Sequence, residues 1–195
     1  MDVQSTSLVT SPNLSPLSKD SLDNTLLIAD PSLQDGIFDR TVIHIAEHSL
    51  EEGALGYILN KPTDKTVGEI LQGDIFDNLK HIPIYFGGPV QTDQIVFSAY
   101  WWDHDDDFSY RLRISAEEAT TMKGKSGCML LAHVGHAGWQ PKQLESELDE
   151  QAWISTIVSA ETISANPNLL WETILQSLSP YHKLLSKTPK DIRQN

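Results

Sequence analysis

Cys128-Met129-Leu130-Leu131-Ala132-His133-Val134 is an almost wholly apolar run, without the alternation of a strand that keeps one face in water. A segment of this kind is a central strand buried on both faces, so the chain has to build a sheet with cover on each side. Gly135, Gly138 and Trp139 follow, then Pro141, and proline suits the first turn of a helix, where its missing N–H costs nothing. The order predicts a strand over 128–134, a sharp glycine turn over 135–138 and a helix from about Pro141, with Leu144 and Leu148 on one face. Free N–H groups at such a helix start can hold an anion. The plainer expectation is that the glycines meet turn geometry and Trp139 packs over the sheet.

Elsewhere a period of two prevails. Strands are predicted at Leu26-Leu27-Ile28-Ala29, at 41–47 and at 54–59, the last two joined through Glu51-Glu52-Gly53 as an antiparallel hairpin. The segment 84–86 ends at the turn cluster Gly87-Gly88-Pro89, and 95–100 pairs with 110–114 across an acidic loop in a second hairpin. Helical signals lie between and after the strands. Ser115 caps Ala116-Glu117-Glu118 in the capping-box pattern, and Asn166-Pro167 opens an amphipathic helix through Leu170, Ile174 and Leu175. Hairpins with interspersed helices point to an α+β domain.

A length of 195 residues, 39% of them hydrophobic, suits one domain with a sizeable core, expected over residues 25–195. Residues 1–24 are Ser-rich, with Pro12 and Pro16, and read as a flexible tail. The formal net charge of -13 repels a nucleic-acid backbone, and the scattered Lys and Arg form no basic patch, so direct nucleic-acid binding is not expected. The single cysteine, Cys128, permits no internal disulfide. Neither a secretory leader nor a run of membrane-spanning length is seen, and the expectation is a cytoplasmic protein with no membrane partner.

Reaction motifs are incomplete throughout. His133 and His136 lack a third ligand at an informative spacing; His44 and His48, an even number apart, share a strand face in the same reading. The run Asp103-His104-Asp105-Asp106-Asp107 lacks the glycine and glutamate of a calcium loop and reads as a solvated hairpin loop. Gly124-Lys125-Ser126 precedes a strand instead of opening a helix, and Cys128 inside an apolar run reads as a small hydrophobe. No cofactor and no metal are expected.

Four segments taken together resemble a known family. Leu27-Ile28-Ala29 with Pro31, Leu33, Asp35, Phe38, Arg40-Thr41-Val42 and Glu47-His48 leads into Gly53-Ala54-Leu55-Gly56 and Asn60-Lys61-Pro62; Gly87-Gly88-Pro89-Val90 follows. The third segment is Gly135, Ala137-Gly138-Trp139, Gln143-Leu144-Glu145, Glu147-Leu148 and Ala152-Trp153, and Leu170-Trp171 is a weaker fourth. In order and spacing, over about residues 25 to 178, the chain resembles the AlgH/YqgE family (UPF0301, DUF179). It departs by an inserted Asp30, by His136 where tyrosine is usual and by Lys142 near a usual glycine.

The resemblance implies a largely antiparallel, bifurcated sheet containing a small β-barrel and flanked by helices. It implies little about chemistry, since the family carries the label of transcriptional regulator without an established activity. A module that binds a small molecule or protein partner is expected first, because no nucleophile with its base is in view. An enzyme acting on a small molecule at a cleft near the glycine turns is the alternative. The matched residues Asp35, Arg40, Glu47, His48, Asn60, Gly87, Gly88, Gly138 and Trp139 are the candidate cleft. Turn chemistry and ion pairs that hold the fold are the bland account of the same set.

Overall fold

The computed structural model describes residues 22–33, 36–102 and 108–185. The Ser-rich segment up to residue 21, Asp35 and the acidic run 103–107 lie outside the described residues. In chain order the strands are β1 (Thr25–Ala29), β2 (Val42–Ser49), β3 (Gly53–Ile58), β4 (Pro62–Thr66), β5 (Pro83–Phe86), β6 (Val90–Trp102), β7 (Phe108–Ile114), β8 (Met129–Trp139) and β9 (Trp153–Ile157). The helices are α1 (Val67–Ile70), α2 (Ala116–Lys123), α3 (Gln143–Asp149), α4 (Ala160–Ser164), α5 (Pro167–Leu178) and α6 (Pro180–Leu185).

The apolar run is the middle of the sheet, as its composition requires. Strand β8 pairs with β6 between Met129 and His136, with β5 at Ala132, His133 and Val134, and with β3 at Ala137, Gly138 and Trp139. The main path runs β4-β5-β8-β3-β2-β1-β9, with β6 and β7 branching from β8. All these pairings are antiparallel except that of β5 with β8. The sheet is forked, but among the described residues its ends at β4, β7 and β9 are unpaired with one another, so the expected small barrel is not closed there. Strand β7 instead reaches β2 through side chains, Tyr110 against His44 and Arg113 on Glu47, where a barrel would need a backbone ladder.

The predicted glycine turn is also corrected: 135–138 is strand, and β8 runs unbroken to Trp139. Gly135 sits at φ +69, and a Cβ there would overlap the Gly88 carbonyl oxygen and come within 2.9 Å of the Val90 carbonyl oxygen. A left-handed glycine within an extended segment kinks the strand instead of ending it, and β8 changes neighbours from β5 to β3 just beyond it. The helix that follows begins at Gln143, two residues after Pro141, because Lys142 takes φ 64 as its N-cap. This lysine, near the family's usual glycine, thus occupies a conformation that glycine adopts without cost.

A bulge separates the two histidines expected on one face of β2. The register with β3 shifts between Ile45 and Glu47, so the parity of the strand changes there. His44 and Glu47 face β7, whereas His48 turns to α3.

Three clusters of buried side chains share β8. Leu131 belongs to the largest, where Leu26, Val42 and Leu59 of the sheet side meet Leu170, Trp171, Ile174 and Leu175 of α5. On the other face Ala137 and Trp139 join Ile43, Ile45, Leu144 and Trp153. Ala132 joins the third, with Ile84, Phe97, Ala119 and Met122 beneath α2. Leu22, placed in the tail by composition, is only 1% exposed and belongs to the second cluster. Its backbone N–H is held by a histidine ring 26 residues away, so packing begins at least three residues before Thr25.

Replacing Gly135 by alanine is expected to lower stability by at least about 1 kcal/mol, through the left-handed backbone and the overlap with Gly88. Gly138→Ala is expected to stay within about 0.5 kcal/mol of wild type, since its new methyl would meet nothing closer than Val90 Cγ2 at 3.7 Å. Urea unfolding of both variants checks the order, and the reverse ranking would contradict the crossing described here.

Candidate functional site

The residues picked out in the sequence separate into structural groups. Asn60 accepts the Val42 N–H at 2.8 Å through Oδ1 and donates through Nδ2 to the Arg40 carbonyl, also at 2.8 Å. One amide therefore ties the entry of β2 to the end of β3, and it holds Arg40 at φ 54. The Arg40 guanidinium lies 5.0 Å from the centre of the Trp171 ring, a cation–π contact that fastens the loop to α5. Glu47 pairs with Arg113 at the surface, where such a pair contributes at most about 1 kcal/mol. Gly87 and Gly88 are buried against the backbones of Gly135 and His136, which fill the space a substrate would need.

His48 is fully enclosed. Its Nδ1 accepts the Leu22 N–H at 3.1 Å, so the ring proton resides on Nε2, which donates to Glu145 Oε1 at 2.7 Å. Trp139 is 6% exposed, stacked beside Phe38 and edge-on to Trp153. Its indole N–H donates to Glu147 Oε2 at 2.8 Å, and that of Trp153 donates to the same oxygen at 2.7 Å. Gln143 donates to the other oxygen of Glu147, so this carboxylate on α3 organises two tryptophans and the helix start together. Gly138, between these groups, is exposed. Among the described residues of the set, the structure brings Arg40 to Asn60 and sets His48 and Trp139 against α3, and these two groups lie apart.

A groove lies elsewhere, on the face of the sheet covered by α4 and α5. It holds about 550 Å³ between Tyr85, Met129 and Leu131 on the strands, Leu59 just past β3, and Ile163, the 164–167 turn and Leu170 on the helical side. Only Ser164, Asn166 and the Tyr85 hydroxyl contribute polar side-chain atoms among the described lining residues. The sequence offered no signal for it, because a groove between a strand floor and a helix turn requires knowing which helix lands on which strands.

Behind the groove the core is not wholly apolar. His133, on β8 directly opposite Tyr85, is 0% exposed and lies between the rings of Tyr57 and Tyr85, with centroids 5.3 and 6.0 Å away. His44 is also 0% exposed; its Nδ1 is 3.0 Å from the Tyr100 hydroxyl. Both ring nitrogens of His133, the Nε2 of His44 and the hydroxyl of Ser98 have no hydrogen-bond partner among the described residues. Burial lowers the pKa of His133 from 6.5 to about 3, and burial followed by the proximity of His133 lowers that of His44 equally far. Half-buried His136 is lowered by desolvation and then by Arg113, and it does not join His133. No group of three or more His, Cys, Asp or Glu able to hold a metal occurs among the described residues. The Cys128 thiol is pushed up by burial, away from the thiolate a nucleophile needs.

Residues 26–182 match the AlgH-like family DUF179. A UPF0301 protein of Burkholderia lata is 35% identical over 174 residues, which is 81% of this chain and 84% of the relative; one from Burkholderia ambifaria is 34% identical over the same shares. Among solved structures, AlgH from Pseudomonas aeruginosa aligns with a TM-score of 0.62 and 25% identity, covering 90% of this chain and 98% of that one. A crystal structure from Corynebacterium diphtheriae aligns with a TM-score of 0.67 at 23% identity, covering 86% and 93%, and shares the fold.

Trp139→Ala removes a buried aromatic and a donor to Glu147, and is expected to cost about 3–5 kcal/mol in urea unfolding; a loss under about 1 kcal/mol would show that the ring does not pack. The buried histidines set a second expectation. Below about pH 6.5 the unfolded chain takes up protons that the folded chain refuses until about pH 3, so stability is full above that window and falls on acidification through it. Each ring contributes a slope of up to about 1.4 kcal/mol per pH unit. Urea midpoints between pH 7.5 and 5 should fall accordingly, and less steeply in His133→Phe; identical slopes for the two chains would contradict the assignment.

Proposed function

The chain belongs to the AlgH-like family, and from its architecture we propose that it is a ligand-binding regulatory module, with the groove between α4–α5 and the sheet as its site. The observation that carries this reading is the groove itself. A concavity of about 550 Å³ with an apolar lining and a few polar groups matches the size and character of small-molecule sites. The matched polar residues support the site from outside it: Asn60 follows the lining residue Leu59, and Arg40 braces Trp171 beside the lining residue Leu170.

The alternative, an enzyme working beside the glycine turns, has less in its favour, because Gly87 and Gly88 face backbone and no activated nucleophile adjoins them among the described residues. Direct binding to DNA stays outside the proposal: the net charge of -13 opposes it. A cytoplasmic setting accords with the absence, among the described residues, of a helix long and apolar enough to cross a membrane.

A thermal-shift screen of metabolites, followed by a groove-filling variant, tests the proposal. Ser164 lines the groove and is exposed, so Ser164→Trp should leave the melting temperature nearly unchanged. A compound that raises the melting temperature of the wild-type chain is expected to bind Ser164→Trp at least about tenfold more weakly, a difference of roughly 1.4 kcal/mol. Hits that bind both chains equally would place the site elsewhere.

A further inference from the structure

Side chains two apart on a strand share a face, and this rule carries the groove floor inward. Leu131 lines the groove and His133 is the next residue on that face of β8; Leu59, just past the end of β3, also lines it, and the Tyr57 ring on β3 lies 5.3 Å from that of His133. Tyr85 lies directly opposite His133 in the register and also lines the groove, so one phenol ring separates the groove from a buried imidazole. Ser98 is paired with Leu131 from the other side, which sets its hydroxyl on the same face and diagonal to His133.

Three buried residues on this face, His133, His44 and Ser98, therefore hold polar atoms with no partner among the described residues. More than nine in ten buried polar groups in proteins are satisfied, since an orphan keeps the full cost of losing water. A cluster of them behind an apolar groove is the arrangement of a recognition site, in which few polar groups fix the ligand's orientation. A neutral imidazole offers one N–H and one lone pair. No charged side chain lines the groove among the described residues, so a carboxylate or phosphate would enter without a counterion.

We infer that the groove takes a molecule with an apolar body and an uncharged head that both donates and accepts hydrogen bonds, and that His133, reached by rotation of the Tyr85 ring, reads this head. The inference rests on the groove being the ligand site and adds the class of ligand. A primary amide or an alcohol can donate to the lone pair or accept from the N–H of the imidazole, one nitrogen at a time, with Ser98 as a further partner. Tyr85 is then a positioning residue that closes the groove when the head is absent.

Octanamide, octanol and octanoate are suitable probes, titrated at pH 7.5 into the full chain carrying ¹⁵N-labelled histidine rings and ¹³C-labelled leucine methyls. Octanamide is expected to move the Leu59 and Leu131 methyls and the His133 ring nitrogens together, and to bind at least about tenfold more tightly than octanoate. In His133→Phe the preference for the amide over octanoate should vanish while methyl shifts persist. If that variant does not fold, the ring-nitrogen shift in the unaltered chain decides alone. Equal affinity for octanoate, or methyl shifts without any change at His133, overturns the head-group inference and leaves the groove standing. If no probe moves the methyls, the groove reading falls and the inference falls with it.

Discussion

The contact on which the rest of the structure depends is the approach of two backbones where β8 passes the end of β5. Gly135 and Gly88 meet there with no room for a Cβ on either, and Gly87 contributes its N–H to the Val134 carbonyl at 2.8 Å. That crossing lets one strand serve three neighbours in succession. With a bulkier residue at Gly135 the strand could not continue into its pairing with β3, and the two halves of the sheet would lose their shared member. The three core clusters each take residues from β8, so the fork is also where the packing of the whole domain is joined.

Polar groups inside this frame fall into two kinds. Glu147, His48 and Asn60 are hydrogen-bonded; His48 and Asn60 close contacts between segments distant in sequence, and Glu147 ties α3 to the strands on either side of it. Groups of this kind make the structure specific and rigid, because removing one partner strands the other in a low-dielectric setting. Both ring nitrogens of His133, the Nε2 of His44 and the Ser98 hydroxyl are of the second kind, buried without a partner among the described residues. The contrast within one small domain separates residues that maintain the fold from residues with capacity left for something else.

The matched polar residues and the groove thus stand in a support relation. Arg40, Asn60 and Trp171 fix the β1–β2 connection against α5, and α5 with the α4 turn forms the helical wall of the groove. These residues hold the scaffold, and the proposed binding role rests on the cavity, with the His133 ring behind Tyr85.

The sequence by itself determined the strands other than β4 and β9, the two hairpins, the caps at Ser115 and Asn166 and the central place of 128–134, because each rests on local periodicity or on a side chain bonding its own neighbours. It also showed which family the chain resembles. Only the tertiary structure decided that 135–138 continues the strand, since glycine is compatible with turn and crossing alike and the choice is made by Gly88 and Val90, almost fifty residues away in the sequence. The bulge in β2 inverted the parity that had placed His44 with His48, a one-residue event that no pattern of period two reveals. The groove and a His133 without a hydrogen-bond partner among the described residues came last, because solvent exclusion and hydrogen-bond satisfaction belong to the assembled layers and not to any segment of the chain.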